Sequence, residues 1–247
     1  MSVIFTKPLE QNIMWFGLVI DLRYALSFKG IIAREELMEI NENTVVIVTG
    51  GASGLGAATA KTLSAKGARI NIFDMNLSLG DAMAKSLGGD FYQVDVSDAV
   101  AVTAAMKAVE NKYQELHVLV NCAGIGPPSK TVSRGEPHDP AIFAKVIGVN
   151  LIGSFNCASQ AAAAMLRSHP VTQDGGRGVI INTASVAAYE GQIGQVAYAA
   201  SKGGVVGMTL PMARDLSAKG VRVCTIAPGL FLTPLLESLP KDVQPSL

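Results

Sequence analysis

The sequence predicts a doubly wound, parallel α/β sheet, and three observations carry that expectation. From residue 44 onward, short β-branched runs alternate with longer Ala-rich segments of helical period. A glycine-rich turn follows the first such run, and polar residues suited to chemistry fall just after the later ones. Strands covered by helices on both faces read as continuous apolar runs. Right-handed crossovers between them leave a ligand crevice at the strands' carboxyl ends.

The strands are expected at Val45–Thr49, Arg69–Asp74, 91–95, Val118–Asn121, Gly178–Thr183 and 221–227. Helices are expected at about 55–66, 78–87, 99–114, 140–168 and 198–219. Segments 126–140 and 170–178 are rich in Pro, Gly and polar residues and read as loops. Residues 1–43 form an extension and 44–247 a single domain. Within the extension, 13–20 is apolar but ends at Asp21, too short for a bilayer span. Glu10, Asp21, Glu35 and Glu36 argue against an Arg-rich presequence.

Lys and Arg total 20, matched by 20 Asp and Glu, so no net field draws in nucleic acid or an anionic membrane. The expected partner is a small-molecule substrate. Cys122, Cys157 and Cys224 cannot all pair and have no metal spacing, which favours a reducing compartment, the cytoplasm or alternatively the mitochondrion. His117, His138 and His169 are scattered, and no metal is expected.

The first strand runs into Gly50-Gly51-Ala52-Ser53-Gly54-Leu55-Gly56, with a helix next. Glycines let the backbone approach a pyrophosphate, whose charge suits a helix N-terminus, so Gly50, Gly54 and Gly56 mark a Rossmann-type dinucleotide site. Asp74 closes the second strand, about 20 residues beyond that turn, where a carboxylate accepts ribose hydroxyls and repels a 2′-phosphate. That choice favours NAD over NADP; the other reading has Asp74 beginning the next turn. Asp95-Val96 and Asn121-Cys122-Ala123-Gly124 end the next strands and belong at the same crevice. Cys122 taken alone also fits as a small buried residue.

Tyr198 and Lys202 are four residues apart at the start of a helix, hence on one face. A phenol titrates near pH 10, and a neighbouring cation favours its ionised form. Such a pair moves a proton between Tyr198 and an alcohol while hydride leaves the same carbon. Ser185, after the fifth strand, is placed to orient the reacting oxygen, or is a turn residue. Asn150, within the long helix, anchors a water leading from Lys202, or is a satisfied core amide.

As an ordered set, the glycine turn, Asn121-Cys122-Ala123-Gly124, Ser185, Tyr198, Lys202 and Pro228-Gly229 resemble the short-chain dehydrogenase/reductase family. Segment 178–234, with Ala184-Ser185-Val186-Ala187-Ala188 and Met208-Thr209-Leu210-Pro211, is similar to its type-2 3-hydroxyacyl-CoA dehydrogenase group. The resemblance implies oxidation of 3-hydroxyacyl-CoA to the 3-ketoacyl thioester, with Asn150, Ser185, Tyr198 and Lys202 catalytic. It implies NAD contacts from Ser53, Leu55, Asp74, Asp95, Val96, Cys122, Tyr198, Lys202, Phe231 and Thr233. Gln192 and Gln195 become substrate contacts beside Ser185 and Tyr198. The family's chains continue past the point matching Leu247 with a substrate loop and a final strand. Their lack predicts an exposed edge after the sixth strand, counts against a homo-oligomer, and keeps open two further readings, an NAD-binding module with little turnover and an interaction protein.

Overall fold

A computed structural model of the chain describes residues 3–4 and 38–231. The apolar segment 13–20, Thr233 and the C-terminal segment from 232 lie outside the described residues. In chain order the strands are β1 (Val3–Ile4), β2 (Val45–Thr49), β3 (Arg69–Asp74), β4 (Asp90–Gln93), β5 (Val118–Asn121), β6 (Val132–Ser133), β7 (Glu136–Pro137), β8 (Gly178–Thr183) and β9 (Val221–Ile226). The helices are α1 (Gly54–Ser64), α2 (Leu77–Leu87), α3 (Ala99–Tyr113), α4 (Pro140–Ile147), α5 (Gly153–Arg167), α6 (Ala187–Glu190) and α7 (Val196–Ser217). A π-helical turn, Gly148–Ile152, joins α4 to α5.

The parallel sheet runs β1-β9-β8-β5-β2-β3-β4. From β2 the chain moves outward through β3 and β4, then crosses back to β5 on the other side of β2. That reversal makes the carboxyl ends of β2 and β5 the switch point, where open α/β sheets bind ligands. The five residues of β2, Val-Val-Ile-Val-Thr, are all buried. Val45 and Ile47 pack toward the layer containing Met106, Ala158, Ala161 and Met165, while Val46 and Val48 pack toward the layer with Ala60 and Ala84. Alanines let α5 lie close to the sheet, and Pro140–Arg167 as a whole is long and apolar enough to cross a bilayer. Its buried Val146, Cys157 and Met165 instead pack in the protein core.

Four expectations need correction. The edge beyond β9 is not bare among the described residues, because Val3 and Ile4 pair in parallel with Thr225 and Ile226. The expected single helix 140–168 contains the π turn. The expected strand 91–95 pairs over Asp90–Gln93 instead, where the Asp90 carboxylate accepts from Lys112 Nζ and Tyr113 Oη. Segment 126–140, expected as loop, contains the antiparallel hairpin β6–β7.

The amino end of the sheet carries one titratable contact that the scattered histidines did not announce. The buried His117 ring accepts the Val45 N–H at Nδ1 (3.0 Å). A backbone N–H can only donate, so Nδ1 is unprotonated and the proton sits on Nε2, 3.6 Å from Glu115 Oε2. Glu115 also meets His169 Nδ1 at 3.1 Å. Burial pushes the His117 pKa below 6.5, with Glu115 opposing. The folded state therefore takes up the His117 proton less readily than the unfolded chain. Stability from this contact is intact above pH 6.5 and drains away as pH falls from there toward the lower folded value. Losing the acceptor strands a buried N–H, which costs about 1–3 kcal/mol. We expect urea unfolding of His117→Asn to lose part of the wild-type stability difference between pH 7.5 and 5.5. Equal differences in both proteins would remove this role.

Candidate active site

Each half of the site begins at the carboxyl end of a strand. After β2 the backbone turns through Gly50 (φ +62°) and Gly54 (φ +52°), in the left-handed region that glycine adopts freely. A Cβ on Gly56 would lie 2.2 Å from the Gly50 carbonyl oxygen, so α1 starts hard against the turn. Ser53 makes no side-chain cap, and the first turn of α1 holds no acid. Its N–H groups thus remain available to an anion, as a pyrophosphate requires. By contrast, Asn76, Asp98 and Asp139 do cap α2, α3 and α4.

Asp74 is pinned at the end of β3. Its Oδ2 accepts the Ala52 N–H (3.1 Å) and its Oδ1 the Asn76 N–H (2.9 Å). The turn reading of this residue holds, since its carboxylate accepts from the start of the following turn, and the same carboxylate lies beside the glycine loop. On the other side of the switch point, Thr49 Oγ1 accepts from the backbone N–H groups of Cys122 and Ala123, both 3.1 Å. These loops enclose a crevice of about 290 Å³. Gly50, Ser53, Gly54, Leu55, Gly56, Asp74, Asp95, Val96, Cys122, Ala123 and Gly124 line it, as expected from sequence, together with Phe73, Met75, Val94, Ile125 and Val149, which were missed. Phe231 is half-buried and lies outside that lining. Burial raises the Cys122 thiol pKa, which suits a neutral wall residue.

The chemical groups stand beside the crevice lining, where Lys202 approaches Gly124. Lys202 is buried, its Nζ donates to the Thr183 carbonyl (2.6 Å), and it lies 5.6 Å from the centroid of the Tyr198 ring. A Cβ on Gly124 would sit 3.7 Å from that same Nζ, so the ammonium adjoins the crevice lining. Desolvation lowers the Lys202 pKa to about 8. The Tyr198 phenol is held above its ordinary value, chiefly by burial, while a hydrogen bond with Ser185 works the other way. The protein's own groups therefore keep Tyr198 a proton donor at neutral pH. Lys202 is not among the groups that shift the phenol, so the acidifying effect expected of that neighbouring cation is not found, and removing the proton needs added positive charge. Ser185 Oγ also accepts the Ala187 N–H (3.1 Å), which fixes the hydroxyl at the start of α6.

Asn150 is fully buried in the π turn. Its Oδ1 accepts the Ile125 N–H (2.8 Å), and its Nδ2 donates to the Ile125 carbonyl (2.9 Å) and to Ser201 Oγ (3.0 Å). Both amide hydrogens are committed, as in a satisfied core amide, so a water leading from Lys202 would have to donate to Oδ1. Gln192 and Gln195 engage each other: Gln195 Oε1 accepts the Gln192 N–H (2.9 Å). Ser129 N–H donates to the Gly194 carbonyl (2.8 Å), stitching the loop after β5 to the loop before α7. No group of acids, histidines or cysteines among the described residues has the arrangement of a metal site.

Known proteins share sequence and fold with this chain. The chain is 50% identical over 207 residues to the 3-hydroxyacyl-CoA dehydrogenase type-2 of Drosophila melanogaster, covering 82% of this chain and 81% of that one. It is 52% identical over 203 residues to the Homo sapiens protein of the same name, covering 81% and 77%. A crystal structure of 3-hydroxyacyl-CoA dehydrogenase type-2 from Mycobacterium avium superposes with a TM-score of 0.76 at 42% identity, over 82% of this chain and 80% of that one. Short-chain dehydrogenases use nicotinamide cofactors, and the glycine turn with its uncapped helix fits one. Residues 44–244 match the family described as short chain dehydrogenase, and the chain belongs to that family of oxidoreductases.

Proposed function

We propose that the protein uses NAD to oxidise 3-hydroxyacyl-CoA thioesters to their 3-keto forms, and catalyses the reverse reduction. The observation that carries the chemistry is the meeting of Lys202, Tyr198 and Ser185 beside the crevice that Gly124 lines. The acyl-CoA substrate class rests on the printed names of the relatives, at about half identity over four-fifths of the chain. Bound NAD accepts or supplies the hydride. Ser185 would orient the substrate oxygen, Tyr198 would donate or remove the proton, and Lys202, beside the Tyr198 ring and the crevice lining, would hold the nicotinamide ribose and supply positive charge. Asn150 fixes the loop carrying Gly124 and Ile125. The free thiols of Cys122, Cys157 and Cys224 support a reducing compartment.

The direct test is NADH formation from 3-hydroxybutyryl-CoA, run beside titration of NADH binding. Binding without turnover would leave a cofactor-binding module; neither would end the enzymatic reading. NAD preference is assigned to Asp74, which faces the glycine loop with no Lys or Arg among the residues lining the crevice. Asp74→Ala is expected to shift the NADH/NADPH affinity ratio by about tenfold toward NADPH, the change that about 1.4 kcal/mol of lost charge discrimination gives. An unchanged ratio would remove that assignment.

A further inference from the structure

One hydroxyl that the proposed reaction does not use directly ties α7 to the π turn, which in turn holds the loop after β5. Ser201 is fully buried, one residue before Lys202 on α7. Its Oγ–H donates to the Tyr198 carbonyl (2.7 Å), and the same oxygen accepts from Asn150 Nδ2 (3.0 Å). Asn150 in turn grips both backbone groups of Ile125. The bonds thus run from the first turn of α7, through the π turn, to the loop that lines the cofactor crevice. Ser201 is the joint between the element carrying Tyr198 with Lys202 and the elements that wall the cofactor.

We infer that Ser201 is a positioning residue: its hydroxyl sets the Tyr198–Lys202 turn in register with the cofactor loop. The assignment rests on the dehydrogenase reading for its kinetic consequence, though not for its structural one. The bond directions are determined. A carbonyl can only accept, so the Ser201 proton goes to Tyr198; its oxygen is then left to accept the Asn150 amide. Removing the hydroxyl deprives a buried amide hydrogen of its acceptor and frees the Tyr198 carbonyl from its second partner. Small displacements of reacting groups weaken catalysis far more than they weaken cofactor binding. Members of one hydrogen-bond network also respond non-additively to substitution.

Ser201→Ala in the full chain should lower kcat by about tenfold or more, with NADH affinity changed less than about twofold. Amide hydrogen exchange at Ile125 should speed up, because the Asn150 side chain that grips it has lost an anchor. The Ser201→Ala and Asn150→Ala effects on kcat should combine to clearly less than their product. If Ser201→Ala fails to fold, Ser201→Cys, whose sulfur hydrogen-bonds weakly, is read on the same three measurements. A stability loss with wild-type kcat and unchanged exchange at Ile125 would overturn the inference, as would multiplicative kcat effects with Asn150→Ala. Wild-type protein that lacks turnover, with Ile125 exchange still accelerated by the substitution, would instead overturn the dehydrogenase reading and leave the structural joint standing.

Discussion

Tyr198→Phe is expected to cut turnover of 3-hydroxybutyryl-CoA by about 10²–10⁴-fold, the range that a positioned proton-transfer group contributes, while NADH affinity stays near wild type. The substitution deletes one oxygen and keeps the ring. That ring is what faces the Lys202 ammonium, and it packs close to Gly126, whose Cβ would lie 3.1 Å from Tyr198 Cδ2. The crevice lining therefore keeps its shape, and the phenolic proton is lost together with the hydrogen bond to Ser185. Ser185 is not a substitute, since a hydroxyl with an ordinary alcohol's acidity can orient an alkoxide but cannot readily protonate or deprotonate it. Steady-state rates with a parallel fluorescence titration of NADH make the check. An active Phe variant would show that the proton travels by another route, and the assignment of Tyr198 would fall.

The strands were legible in the sequence where their composition was unambiguous. Val45–Thr49, Arg69–Asp74, Val118–Asn121 and Gly178–Thr183 form with the expected bounds because β-branched runs are cut off by turn residues or by site residues. The π turn was not legible, since Gly148–Ile152 keeps the apolar period of the helices on either side. Only its hydrogen bonds reveal why it is there: it turns Asn150 onto Ile125 and Ser201. The β6–β7 hairpin escaped notice because both strands are two residues long and exposed, and its turn is the weak signal Arg134-Gly135 with positive φ at both positions. The pairing of Val3–Ile4 with β9 joins residues more than 200 apart in sequence, and no local pattern encodes a partner at that range.

The site residues divide along the same line. Tyr198, Lys202, Ser185, Asp74 and the glycines were legible because their chemistry demands particular side chains at particular spacings. Ser201, Ile125 and His117 were not, because each acts through backbone groups brought near by the fold. Ser201 had one available signal, its place inside the Tyr198–Lys202 turn. His117 had none, since a lone histidine before an apolar strand reads equally as surface or core.

Lys202 should set the alkaline limit of the reduction direction. Reduction of acetoacetyl-CoA by NADH needs Tyr198 protonated, which its raised pKa secures throughout the assay range. It also needs a cationic Lys202, whose burial brings its pKa to about 8. For kcat/KM, which reports the unliganded enzyme, the rate is expected to be level below neutrality and to fall as pH passes about 8, the ammonium losing its proton. Lys202→Met should remove this limb and lower kcat/KM by about 10²-fold or more. It should also weaken NADH binding, unlike Tyr198→Phe, because the Lys202 ammonium adjoins the cofactor crevice while its loss strands the Thr183 carbonyl. The two variants thus separate a group that only moves a proton from one that also builds the pocket. If kcat/KM stays level to pH 9.5 in wild type, or if Lys202→Met retains the same limb, the titrating group is not Lys202. The cation would then have to be assigned elsewhere, and no Lys or Arg stands among the residues lining the crevice.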